Sequence, residues 1–512
     1  MKRVVILGGG YAGATAAIHL SRRSAEPLEL TLVEPRAVPG QGLAHSTPHP
    51  DHRLNGPPGN HSVHPDEPDH FARWLAESGT LAADPAATEP TGLCFARRLD
   101  FGRYMAAELE RHAGANPSGS PIAHVREAAV SIERRAAGPL VRLGSGRALA
   151  ADRCVLALGW DAVGVPAPLR PLTGHPGWFG DPWDSQRLGG LPRGASILLV
   201  GAGLTASDTF ATLAAQGHQG PVLAFSRRGL RSASQNPYRV RGRTVWDVLL
   251  DPAPAFVARH GAPATVREAL QALRRDIAAI DPATASWHGA FDALRDASLH
   301  FWPALPAAEK RRFARHLKTW YDAHRYRNPP QTERIVAEGE RRGQLRFAAG
   351  RLQSAHAGAA GIEVAYDERG SGARRTVRVD AVINCTGPQP RPGASANPLW
   401  RSLIASGAVR DHPCGIGIEV DRGSRVIDAA GRADPTLFAL GPPAAGSLGE
   451  TTGVPHVAHQ MIGLAAALLG PAATRPPGAA HGWACGRCSV QSIRRPPSRN
   501  GCGPSKASTH AV

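Results

Sequence analysis

A chain of 512 residues that is 42% apolar has enough sequence for two or three buried cores. No apolar run reaches the ~20 residues that cross a bilayer, and seven scattered cysteines suit a reducing cytoplasm rather than a disulfide framework. The net charge of +17 favours anionic ligands, but no nucleic-acid-binding motif accompanies it, so no nucleic-acid partner is expected.

In chain order, VVILG (residues 4–8) reads as a strand buried on both faces, Ala12–Arg23 as a helix and LELTLVE (28–34) as a second strand. Lys2-Arg3 before VVIL has a trace of a signal peptide, but the glycines that follow fit a nucleotide turn better, and a cytoplasmic location is expected. Residues 36–70 form a loop rich in His, Pro and Gly; 68–78 and 100–112 are helical; strand-like segments follow to Gly159. A second strand–turn–helix–strand unit spans Ala195 to about Arg228. Residues 264–327 are helical by pattern, with a capping box at Thr265–Glu268 and an apolar row Phe313, Leu317, Trp320 at i, i+4, i+7. Trp287, Trp302 and Trp320 are expected in the core. Strands return at 345–366 and 379–387. Beyond Gly470 the composition turns to Pro, Gly, Ser, Ala and Arg, with six basic residues and no acid, and 471–512 is expected to be a disordered basic tail.

Two glycine turns carry the chemistry. The first is Gly8-x-Gly10-x-x-Gly13, opening a helix at Tyr11 and Ala12, with Glu34 at the end of the next strand, 21 residues after Gly13. Glycines there permit a tight turn and close approach of a pyrophosphate, the helix N-terminus supplies free N–H groups, and the acid holds a ribose diol. The second is Gly201-x-Gly203-x-x-Ala206, with Leu204 and Thr205 starting the helix. Its following strand ends in Ser226-Arg227-Arg228 instead of an acid. Arginine and a hydroxyl suit a 2′-phosphate, which an acid repels. FAD is therefore expected at the first turn and NADPH at the second, with a hydride passing between them.

These features resemble the two-dinucleotide-domain flavoproteins: thioredoxin and glutathione reductases, flavin-containing monooxygenases and lysine/ornithine N-hydroxylases. GQGLAHST (40–47), HRLNGPPGN (52–60), DPWD (181–184), GAGLTASD (201–208), SRRGL (226–230), WYDAHRYRNPP (320–330) and GETTGVPHVAHQ (449–460) are similar to the bacterial FAD-NAD(P)-binding family. The resemblance implies an α/β fold of two Rossmann-like domains, the NAD(P) domain and a helical segment being inserted into the FAD domain. The implied units are 1–165 (FAD, first part), 190–350 (NAD(P), helical insert at about 240–330) and 376–470 (FAD, second part). It further implies that Gly42, Ala44, Leu54 and Asn55 line the FAD site, that Gly159 and Gly387 close strand exits, and that Glu450–Val454, with Thr451 and Thr452, opens a helix near the flavin. TLFALGPP resembles the late FAD motif, but Pro442 follows Gly441 where the family has an Asp for the ribityl chain.

A disulfide reductase needs two nearby cysteines beside the flavin. Residues 36–70 have none, and the single CxxC, Cys485–Cys488, falls in the expected tail. By resemblance to the N-hydroxylases and flavin monooxygenases, the expected activity is that of a flavin monooxygenase acting on a small molecule. An NADPH oxidase or reductase serving a diffusible acceptor, and a non-enzymatic redox sensor binding a protein partner, remain open. His456, His324 and Arg325 are candidate catalytic groups; Asp208 reads as structural. Six histidines at 45–70 follow no zinc spacing, so no metal is expected, and one of them is placed at the flavin edge.

Overall fold

The computed structural model describes residues 1–160, 163–236, 245–359 and 361–470. The tail and its Cys485–Cys488 pair lie outside these residues. The first part of the chain contains β1 (Lys2–Leu7), α1 (Tyr11–Arg23), β2 (Leu28–Val33), α2 (His70–Glu77), α3 (Arg98–Gly114), β3 (Ile122–Val125), β4 (Ala129–Arg135), β5 (Gly138–Leu143), β6 (Ala148–Ala150) and β7 (Arg153–Leu156). The middle contains β8 (Trp178–Phe179), α4 (Ser185–Gly189), β9 (Ile197–Val200), α5 (Leu204–Ala215), β10 (Val222–Ser226), α6 (Val245–Leu249), α7 (Ala255–His260), α8 (Val266–Ala278), α9 (Trp287–Phe301), α10 (Ala307–Arg312), α11 (Lys318–Arg325) and α12 (Pro330–Arg341). It continues through β11 (Leu345–Gly358), β12 (Gly361–Glu368), β13 (Arg374–Val379) and β14 (Ala381–Asn384). Last come α13 (Pro398–Ala405), β15 (Arg425–Ile427), β16 (Ala433–Ala439), α14 (Ala445–Leu448) and α15 (Val454–Leu469).

The first sheet runs β15-β16-β7-β1-β2-β3, parallel except at β15. Val4 to Leu7 are all at most 2% exposed, the pattern of a parallel strand covered on both faces. Alanines and Gly13 let α1 lie close to the sheet, where it packs on α3 and α15. The second sheet runs β13-β12-β11-β10-β9-β14-β8. Both sheets are thus built around a strand–glycine turn–helix–strand unit, as two Rossmann-like domains require. A three-stranded antiparallel sheet, β4-β5-β6, is hydrogen-bonded to neither but packs on the first through Ile132, Val141 and Leu143.

Two expectations need correction. The strand 381–384, assigned from sequence to the returning FAD segment, pairs in parallel with β9 and β8 and belongs to the second sheet. Its AVIN pattern is that of any fully buried parallel strand, so its composition cannot identify its sheet. The chain therefore passes between units after β7 and again after β14, and Val163 bridges Pro388.

The second correction concerns Phe313, Leu317 and Trp320. A π-helical turn, Phe313–Leu317, separates α10 from α11. Its wider turn breaks the 100° per residue register. Trp320 ends 46% exposed instead of in the core, while Trp302 is buried at 8% and donates from Nε1 to Gly446 O at 3.0 Å. At α8 half of the expected box forms: Thr265 caps Glu268 N–H, while Glu268 reaches one residue past the cap, to Ala264 N–H at 2.9 Å.

Candidate functional site

Both glycine turns open on one cleft of about 2090 Å³, roughly twice the upper end of ordinary small-molecule pockets, ~300–1,000 Å³. At the first turn Gly8 has φ +98°, and a Cβ there would lie 2.5 Å from Ala157 O. A Cβ on Gly13 would lie 1.8 Å from Gly8 O, so this glycine is needed to pack helix on strand. Gly8, Gly10, Tyr11 and Ala12 line the cleft. Helix α1 begins after Gly10 with no side-chain cap, which leaves its first N–H groups for a ligand. Glu34, 5% exposed, accepts from Gly9 N–H at 2.8 Å and Arg36 N–H at 3.0 Å and lines the cleft. Gly42, Ala44, Leu54, Asn55 and Gly159 complete this side.

At the second turn a Cβ on Gly201 would lie 2.1 Å from Cys385 O, whereas one on Gly203 would meet nothing within 4 Å. The first glycine is required by packing; the second faces open space. Helix α5 starts there, also without a side-chain cap, and Leu204 and Thr205 line the cleft. Ser226 and Arg227 line it from the end of β10, and Ser226 Oγ accepts from Gly229 N–H at 2.9 Å. Arg228 is outside the lining. Arg351 joins Arg227 from β11, the parallel neighbour whose Ala349 is in register with Ser226. These open glycines, uncapped helix ends, acid and arginines fit two dinucleotides.

The far wall combines the helical insert with the last segment. Gly387, Pro442, Thr452 and the Gly453 cap of α15 line the cleft. Gly441 donates from its N–H to Gln460 Oε1 at 2.9 Å, and Thr451, buried at 1%, donates to Gly441 O at 2.9 Å. Those two residues shape the turn from outside the lining. Tyr11 O–H donates to Val454 O at 2.7 Å and ties α1 to the start of α15.

The candidate catalytic groups separate. His456 is buried and points its Nε2 at Asp296 on α9, 3.1 Å away, not into the cleft. His324 pairs its Nδ1 with Trp320 O at 2.7 Å and lies edge-on to Trp287. Arg325 does line the cleft, and its guanidinium bonds Glu450 at 3.0 and 3.2 Å. Glu450 also accepts from Tyr321 O–H at 3.0 Å and Thr452 O–H at 2.8 Å. Burial works to raise the Glu450 carboxyl, but Arg325 and its neighbours hold it well below the usual carboxylate range. Asp208 pairs with Arg98 across the two units at 2.7 Å; burial pushes its carboxyl up and Arg98 offsets that only in part.

Of the loop histidines, His45 and His61 line the cleft. Burial lowers them to about 3 and about 4, so both are neutral imidazoles at pH 7. His64, His70 and Glu108 bring three ligand atoms within 4.8 Å of one another. Their atoms are already engaged: His64 Nδ1 with Arg22, His64 Nε2 with Glu108 at 3.0 Å, His70 Nδ1 with Tyr104 O–H, and Glu108 with Arg111 at 2.7 Å. Two guanidiniums around the cluster oppose a cation.

Sequence reasoning missed Arg98, Arg351 and the arginines of the insert, Arg311 and Arg315, all of which line the cleft. No local spacing announces them, because their neighbours in the cleft come from distant segments.

Residues 5–161 match the model of the FAD-NAD(P)-binding family. A comparison with curated proteins returned no match. Among solved structures, the chain is similar to the reduced ornithine hydroxylase of Pseudomonas aeruginosa (17% identity, 91% of this chain and 100% of that one, TM-score 0.60). It is similar to the Kutzneria sp. 744 ornithine N-hydroxylase with reduced FAD, NADP+ and L-ornithine (16%, 91% and 98%, TM-score 0.62). It also resembles the FAD-bound cadaverine monooxygenase of Erwinia amylovora (12%, 95% and 99%, TM-score 0.61). At these identities the likeness is one of fold: two dinucleotide-binding domains, one interrupting the other. No helix among the described residues is long and apolar enough to cross a membrane.

Proposed function

We propose that this chain is an FAD-dependent, NADPH-using oxidoreductase, a flavin monooxygenase acting on a small molecule. The observation that carries the reading is the shared cleft: two uncapped helix N-termini face it, one beside Glu34 and the other beside Arg227 and Arg351, which have no carboxylate partner among the described residues. The chemistry supplied by the bound cofactors is hydride transfer from NADPH to flavin and reaction of reduced flavin with oxygen. Glu34 would hold the FAD ribose, and the first N–H groups of α1 its pyrophosphate. Arg227 and Arg351 would hold the NADPH 2′-phosphate. The N-terminus of α15, which has no side-chain cap, would favour negative charge on a flavin bound beside it. The Arg325–Glu450 pair fixes the insert over that turn.

The four cysteines among the described residues, Cys94, Cys154, Cys385 and Cys414, are free. Anaerobic titration of the FAD-loaded protein tests the reading: NADPH bleaches the flavin absorbance at concentrations where NADH does not. Arg227→Ala raises the KM for NADPH about tenfold, near the lower end for a lost charged hydrogen bond because Arg227 is exposed, and leaves that for NADH unchanged. Flavin that neither nucleotide reduces overturns the proposal.

A further inference from the structure

We infer that the substrate of this cleft is an anion, held through a carboxylate or phosphate group by Arg311 and Arg315 of the helical insert; the inference rests on the flavoenzyme reading above. It follows from the distribution of charge around the cleft. Four carboxylates line it, Glu34, Asp208, Asp322 and Asp411. Each already faces a donor or a cation: Glu34 the Gly9 and Arg36 N–H groups, Asp208 the Arg98 guanidinium at 2.7 Å and Asp322 the Lys318 ammonium at 2.5 Å. Asp411 accepts from Gly393 N–H at 2.9 Å and pairs with Arg391 at 3.5 Å. A cationic substrate finds no unpartnered carboxylate among the described lining residues.

The arginines show the opposite. Arg36, Arg98, Arg312, Arg325 and Arg391 each face a carboxylate. Arg227, Arg311, Arg315 and Arg351 line the cleft with no carboxylate partner among the described residues. Arg227 and Arg351 stand together beside the second glycine turn, where a nucleotide phosphate accounts for both. Arg311 and Arg315 are on a different element, one turn apart in the chain, with Arg312, His316 and Lys318 also lining the same stretch. Like charges at this spacing repel, a cost removed when an anion sits between them.

The backbone marks the same stretch independently. The π-helical turn Phe313–Leu317 lies inside it, and such turns within α-helices occur frequently at functional sites. Here the turn is anchored on one side, where Phe313 packs edge-on against Trp302 at 5.2 Å and Tyr321 at 5.4 Å. The basic side chains are on the open side. One structural neighbour is named for cadaverine, a diamine; the unpartnered charges lining this cleft suit an anion instead.

The test uses the full-length, FAD-loaded protein saturated with NADP+, so that the nucleotide phosphates are already placed. Inorganic phosphate, benzoate and cadaverine are titrated separately at constant ionic strength, with calorimetry and flavin difference absorbance as readouts. Phosphate or benzoate binds saturably and cadaverine does not; Arg311→Gln/Arg315→Gln weakens the anion about tenfold or more, and Arg311→Lys/Arg315→Lys restores part of it. Both arginines are exposed, so the substitutions leave the core untouched. Absence of saturable binding by either anion, anion binding unchanged in the glutamine variant, or cadaverine binding as tightly as the anions overturns the inference. Loss of FAD or weaker NADP+ binding in that variant also overturns it, by assigning the arginines to the cofactors. A wild-type protein that takes up no FAD overturns the flavoenzyme reading itself.

Discussion

Replacing Glu450 with Gln tests the lock between the insert and the flavin-proximal turn. The Glu450 side chain is 4% exposed and that of Arg325 10%. Glutamine keeps one carbonyl for Tyr321 or Thr452 but leaves the guanidinium without a counter-charge. Breaking a buried ion pair from one side costs about 3–5 kcal/mol. Because Arg325 also borders the cleft, water relieves part of this, and the low end, about 3 kcal/mol, is expected. That is about two orders of magnitude in an opening equilibrium. A two-unit chain does not unfold in one step, so local opening is the proper observable. Native-state amide exchange in α11 should accelerate by about that factor. The double variant Glu450→Gln/Arg325→Gln removes both charges and should exchange more slowly than Glu450→Gln alone. Exchange within about threefold of wild type in the single variant, or a double variant whose effect is the sum of the two singles, refutes the argument. The pair also has a pH signature: its native carboxyl pKa is depressed, so its stabilisation is present above the ordinary carboxylate range and is lost as the pH falls through the native value.

Three further outcomes follow from geometry and burial. His45 and His52 are held at about 3 and His61 at about 4, chiefly by burial, against ~6.5 in an unfolded chain. Below ~6.5 the unfolded chain binds protons that the native state refuses, so stability falls from there towards pH 4, by up to about 1.4 kcal/mol per pH unit for each histidine. Urea unfolding midpoints at pH 7 and 5 check this, and equal midpoints contradict it. Gly13→Ala should prevent correct folding of the first unit, because its Cβ would lie 1.8 Å from Gly8 O. Gly203→Val should leave circular dichroism and melting unchanged yet raise the KM for NADPH at least ~10-fold. Normal NADPH kinetics in that variant would mean the phosphates do not approach Gly203.

What could be read from sequence follows the range of its determinants. The glycine turns, Glu34, the Thr265–Glu268 box and the Ser226-Arg227 strand end each depend on residues within about one supersecondary unit. The pairs between distant segments do not: Arg98 meets Asp208, Arg325 meets Glu450 and Asp296 meets His456 over separations of 110 to 160 residues. His456 illustrates the cost, since its position beside a flavin-proximal motif suggested catalysis while α9 claims its side chain. The π turn was equally invisible, because the apolar spacing at 313–320 suits an unbroken helix. The sheet of residues 381–384 could not be assigned from a run of four buried residues that would suit either sheet.

The bridge between Val163 and Pro388 also bears on how the chain folds. The strands of the first sheet are supplied by segments on either side of an intervening stretch of 225 residues. Were that stretch unstructured, bringing its ends together would cost about 5 kcal/mol by the (3/2)RT ln n rule. With the second sheet folded, its two ends already sit side by side and nearly all of that entropy has been spent. Assembly should therefore be hierarchical: the interrupting unit acts as the template on which β16 finds β7. A lesion confined to the second core would then delay completion of the first sheet without touching any of its residues.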